Sequence, residues 1–133
     1  MKQRDNIIRM VAAVIEDAAG RVLLVRTRGA QVFQQPDGKR DAGDVDDLDT
    51  LARELREDLG CLPVHEPARF LWCASAPAAN EHGHVVEAMI YRVDVAGEPA
   101  AGAEIVEWCW VDPAAPGDVS IAALSREHIL PRL

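Results

Sequence analysis

Apolar residues come in short bursts along the first part of the chain. Residues 6–15 (NIIRMVAAVI) and 21–26 (RVLLVR) are rich in Val, Ile and Leu and are separated by EDAAG. Short apolar runs bounded by turn formers predict two strands joined by a turn. A third strand is expected over 31–35, running into PDGKRDAGDVDD, whose Gly, Asp and Pro content and lack of apolar periodicity predict a long loop. From about Asp47 the period changes. Leu48, Leu51, Ala52, Leu55 and Leu59 recur at helical spacing and Gly60 supplies a stop, so a helix is expected to end there. Residues 67–75, 84–95 and 104–111 read as further strands, with the polar loop AANEHGH between the first two. A closing helix is expected over 119–130, where Ile121, Leu124 and Ile129 share a face and Pro131 ends the run.

With 133 residues and 49% hydrophobic content, the chain suits one domain, 1–133, with one core. The longest apolar run, 10–15, is too short to span a bilayer or serve as a secretory segment, so a soluble, cytoplasmic protein without membrane partners is expected. Cys61, Cys73 and Cys109 form no CxxC pair and are odd in number, which favours small buried hydrophobes over disulfides or zinc. A net charge of -8 argues against a nucleic-acid partner. A polyanionic small molecule would need a cation as intermediary.

That cation has a candidate seat on the helix. The apolar residues cluster in one sector, while Glu54, Glu57 and Asp58 fill another. A solvated acidic face accounts for Arg53 with Glu57, an i,i+4 pair of opposite sign. It accounts poorly for Glu54 with Asp58, a like-charged i,i+4 pair, and for an anion near a helix C-terminus. Carboxylates at i, i+3 and i+4 are also what a hard cation such as Mg²⁺ or Mn²⁺ takes. Both readings stand on geometry alone.

The segment PDGKRDAGD followed by ARELREDLGC resembles the Nudix box, G-x5-E-x7-R-E-U-x-E-E-x-G-U, through Gly38, Gly43, Asp44, Arg53, Glu54, Leu55, Glu57, Asp58 and Gly60. The order of elements is similar to that fold along essentially the whole chain. The resemblance implies an α/β (α+β) architecture, an α/β/α sandwich with a mixed sheet. It implies hydrolysis of a nucleoside diphosphate linked to another moiety, with Mg²⁺ or Mn²⁺ held by Glu54, Glu57 and Asp58 and a nucleotide-derived diphosphate as the small-molecule partner. Glu54 and Glu57 then carry catalysis with Glu104, the outside candidate for general base, ahead of Glu98 and Glu81. Gly38, Lys39, Arg26 and Arg28 are the candidates for contacting phosphate or ribose, and Gly43, Asp44, Arg53 and Gly60 for bracing the box. The alternative is a weak or inactive domain of the same kind that binds nucleotides or a protein partner. A homodimer is left open.

Three departures bear on that choice. Eight residues rather than seven separate Asp44 from Arg53, which argues against their pairing; counting back from Arg53 puts Val45 at the acidic position. Aspartates stand at 44 and 58 where the family has glutamates, shortening each reach. Asp37 replaces the first glycine of the family's pair and adds charge beside the proposed metal. His82 and His84 read as polar loop residues or site residues, and Trp72, Trp108 and Trp110 as core or interface packing rather than base stacking.

Overall fold

A computed structural model describes residues 6–60, 62–78, 81–96, 98–100, 102 and 104–133, with the backbone alone for 62–67. Cys61 and two residues of the AANEHGH loop, Ala79 and Asn80, lie outside the described residues. The elements are β1 (Ile7–Val14), β2 (Val22–Thr27), β3 (Asp37–Gly38), α1 (Asp47–Leu59), β4 (Leu62–Pro77), β5 (Val85–Ala96) and β6 (Ile105–Val111). A π-helical segment, α2 (Leu124–Ile129), and a 3-10 turn, Leu130–Arg132, close the chain.

The sheet of four strands is mixed, in the order β3-β1-β5-β4. β1 runs parallel to β5 from Ile7 opposite Val85 to Val14 opposite Arg92, and the other pairings are antiparallel. β2 and β6 form a separate antiparallel pair. Alternation along β1 and β2 explains the layers. Val11, Ala13, Ile15, Leu23 and Val25 pack with Leu51, Leu55 and Leu59 of α1. Their neighbours Ala12, Val14, Val22 and Leu24 pack with Ile129 and Leu130 at the other helical end of the chain. Both faces of these strands are therefore buried, one under each helix, as a sandwich requires.

Two expectations are corrected. Residues 31–35 form no ladder; Phe33 bridges Ile121 and Gln34 bridges Val25 singly, and the short strand falls at Asp37–Gly38, opposite Ala12 and Val11. Pro36 has no N–H to continue a ladder, though its carbonyl accepts from Ala13 N at 2.8 Å. The closing helix starts at 124 rather than 119, because the backbone at 120–122 exchanges hydrogen bonds with Phe33 in strand fashion. On α1, Leu48 is 40% exposed and Thr50 is buried. Thr50 tolerates this because its Oγ1 donates to Asp44 Oδ2 at 2.8 Å. No described helix is long and apolar enough to cross a membrane.

Candidate functional site

The loop before α1 and the helix's outer face are tied together by one arginine. Asp46 caps the helix, its side chain accepting from Asp49 N at 2.9 Å. Val45 stands just before it, 80% exposed, and its N–H donates to Asp49 Oδ2. Turning that residue outward absorbs the insertion, so the Asp44–Arg53 pairing that the chain count argues against does form. Arg53 Nη2 donates to Asp44 Oδ2 at 2.9 Å and Nε to Oδ1 at 3.3 Å. These bonds, with those from Asp41 N and the Thr50 hydroxyl, hold the Asp44 carboxyl well below the usual range. Arg53 is shifted upward in turn, chiefly by Asp44. The same guanidinium reaches Glu54 Oε2 at 2.8 Å, the Lys39 carbonyl at 3.1 Å, and Glu57 Oε1 at 3.7 Å.

Beside this hub, Glu54 and Asp58 line a cavity of about 30 Å³ with Asp37, Gln34 and Thr27. Asp37 comes from β3 and takes two hydrogen bonds from Gln34 Nε2. Burial, and then the Glu54 charge, push it up to about 7. Asp58 is pushed up to about 6, first by burial and then by Glu54, Glu57 and Glu104. Glu104 reaches Asp58 electrostatically because its segment is tied to the end of α1. Ala100 N donates to the Leu59 carbonyl, and Gly102 lies against the carbonyls of Glu57 and Asp58. The Glu104 carbonyl also accepts from Arg28 N at 2.7 Å. Gly60 ends α1 in the left-handed conformation, φ 68, that its sequence position demands.

The remaining candidates are dispersed. Gly38 is buried against Glu54, so closely that a Cβ there would overlap its side chain. Gly43, one residue before the Asp44 brace, has open space around it. Lys39 and Arg28 are exposed and make no ion pair among the described residues. Arg26 is committed to Glu107 at 2.6 Å and to the Ala30 carbonyl. Glu98 is exposed; Glu81 is exposed beside His84, whose Nδ1 contacts the His82 carbonyl within the hairpin turn. Trp108 and Trp110 pack on the core under α1, while Trp72 donates to the His128 carbonyl beneath Arg132. Sequence reasoning missed Thr50 and Gln35, both polar, both buried, and both in windows read by apolar period alone.

Among the described residues no three Asp, Glu, His or Cys side chains converge closely enough to grip a metal as they stand. Glu54 is turned to Arg53. The donors at hand are nevertheless all carboxylate oxygens, crowded enough to repel one another, which is the chemistry a hard divalent cation relieves.

That crowding has a sign. Asp37 and Asp58 have folded-state values above the ordinary 3.8, so between about pH 4 and 7 the native state holds more protons than the unfolded chain. Stability of the metal-free protein should therefore fall as pH rises through that window and level off above it. Thermal denaturation in chelator should show melting a few degrees lower at pH 8 than at pH 5. Asp37→Asn should flatten the slope; a melting temperature that climbs over this range would contradict the crowding.

A family model described as NUDIX domain matches residues 7–133. The chain is similar in structure to the MutT NUDIX hydrolase from Burkholderia pseudomallei, with a TM-score of 0.77 and 22% identity over 96% of this chain and 98% of the other. It is similar to the MutT protein from Methanosarcina mazei Go1, with a TM-score of 0.75 and 20% identity over 99% and 94% of the two chains. The E. coli ORF135 protein matches with a TM-score of 0.72 and 25% identity over 95% and 87%. A search of curated proteins finds no match.

Proposed function

This chain belongs to the Nudix family of hydrolases, and on that premise we propose that it is, as a single domain, a pyrophosphohydrolase that splits a nucleoside diphosphate linked to another moiety with the help of Mg²⁺ or Mn²⁺. The observations that carry the reading are the match of the NUDIX domain model to residues 7–133 and the cavity that Glu54 and Asp58 line with Asp37. An acidic protein with so many carboxylates at one helix end is poorly suited to a polyanion unless cations intervene.

In this reading Glu54, Glu57 and Asp58 hold the metal, which when bound would neutralise diphosphate oxygens and polarise the phosphorus. The protein's own part is positioning. Arg53 fixes the orientation of Glu54 from behind, and Asp44 fixes Arg53. Gly38 leaves room for Glu54 beside the strand. Lys39, next to Gly38, and Arg28, whose backbone N–H meets the Glu104 carbonyl, make no ion pair among the described residues and suit substrate phosphates. For Arg26 to join them it would have to leave Glu107. Glu104, exposed and held beside Asp58 by the loop, is the group we assign to accept the proton of the attacking water.

A second reading, a nucleotide-binding domain without hydrolysis, draws on one observation: Arg53 occupies Glu54 Oε2. One experiment separates them. Nucleoside diphosphate derivatives without a free terminal phosphate are incubated with Mg²⁺ or Mn²⁺ and phosphate is measured after phosphatase coupling, while nucleoside triphosphates are followed with inorganic pyrophosphatase alone, which reads released pyrophosphate. Metal-dependent release from at least one substrate is expected; no release from any, with nucleotide binding retained, would favour the second reading.

A further inference from the structure

The two edges of the four-stranded sheet differ in length. β3 closes one with 2 residues, whereas β4 forms the other with 16, and no described strand pairs with its outer side. The direction of its backbone groups follows from one bond. Ala78 N donates to the His84 carbonyl at 2.9 Å, continuing the register in which Pro77 faces Val85. Hydrogen-bonded and non-bonded pairs alternate along an antiparallel ladder, so Ala76 with Val86 and Ala74 with Ala88 bond across to β5. The N–H and C=O of Cys73 and Ser75 therefore point away from the sheet.

Long edges are usually blunted by charge, by proline or by a bulge. Here a register shift between Phe70 and Trp72 and the missing N–H of Pro77 bound the open stretch at its two ends, and nothing between them blunts it. Residues 68–77, ARFLWCASAP, carry a single charge, Arg69. Phe70 is 47% exposed and Cys73 is exposed, and half-covered Met89 stands opposite Cys73 on β5, so apolar surface lies open beside the edge.

A second copy of the chain suits this edge, because the stretch is complementary to itself when run antiparallel. A two-fold axis through Ala74, perpendicular to the sheet, sets Cys73 against Ser75 of the second copy and Ser75 against its Cys73, each pair exchanging both backbone bonds. Small Ala74 sits on the axis, and bulky Trp72 falls opposite Ala76 of the second copy. Charge agrees with this direction. Arg69 at one end of the stretch and Glu81 just past the other are exposed and make no ion pair among the described residues. Antiparallel pairing brings them to the same end, so opposite charges meet there although each chain carries a net charge of -8.

We propose that the chain forms a two-fold dimer through β4, which joins the four-stranded sheets of two copies into one. Sedimentation of the full chain from about 1 to about 200 μM, the range in which so small an interface dissociates, should show the mass rise from one chain toward two. Ser75→Pro removes an N–H that points away from β5, so the β4–β5 ladder stays whole, and the variant should keep the mass of one chain throughout. Amide exchange gives a reading that needs no variant. The N–H groups of Cys73 and Ser75 should exchange about tenfold more slowly at the upper concentration than at the lower, while those of Ala74 and Ala76 are slow at both. A single chain at every concentration, assembly beyond two chains, a folded Ser75→Pro protein that still pairs, or Cys73 and Ser75 amides whose exchange does not slow would each overturn the proposal. Should Ser75→Pro not fold, the wild-type mass and exchange decide.

Discussion

Glu57→Gln is expected to lower turnover at saturating Mg²⁺ by two to three orders of magnitude while melting no lower than the parent protein. The side chain is 55% exposed and its contact with Arg53 is long, at 3.7 Å. An exposed pair of that kind contributes little to folding. Its charge, moreover, is one of those that raise Asp58, so neutralising it removes a repulsion from the metal-free state. A purely structural residue would show the opposite balance, with stability lost and turnover kept. Unchanged kcat across a full Mg²⁺ titration would remove Glu57 from the ligand set.

The second large effect comes from one methyl group. Gly38 lies in β3 opposite Val11, and a Cβ there would collide with Cγ, Cδ and Oε2 of Glu54. All three are movable side-chain atoms, so Gly38→Ala should fold, with a melting temperature within a few degrees of the parent. The methyl can be accommodated only if Glu54 leaves its place. A catalytic carboxylate displaced by about an ångström can cost on the order of a hundredfold in rate. Activity and melting curves measured together check this. A variant with full turnover would show that the position of Glu54 beside β3 is immaterial to the reaction.

Strands β1, β2, β5 and β6 were legible as short apolar-rich runs between turn formers, β1 and β2 being buried on both faces, and helix α1 by its helical period. Leu51, Leu55 and Leu59 reach the core as their spacing predicts. The failures have a common physical origin. Phe33 and Ile121 are placed by one bridge across a long chain separation, and no local window contains both, while Gln34 is held to Val25 by another single bridge. Thr50 and Gln35 are polar residues whose burial depends on hydrogen-bond partners elsewhere, Asp44 for one and Ala13 for the other. At the site, residue types were readable but their mutual orientation was not. The motif names Arg53 and Glu54 as neighbours, but the guanidinium turns onto the Glu54 carboxylate only in the folded chain.

The outward turn at Val45 shows how such a motif is better measured. The distance that matters runs through space, from the carboxylate after Gly43 to the guanidinium in the second turn of α1, and the helix begins its own count at its cap. Chain length between those two anchors is slack that a surface residue can take up. A search pattern with a fixed gap of seven would reject this chain, whereas one that fixes the two anchors and lets the gap vary would retain it. Trimming the loop back to seven by removing Asp46 would discard the cap itself, so restoring the consensus spacing at that residue would undo the arrangement it describes.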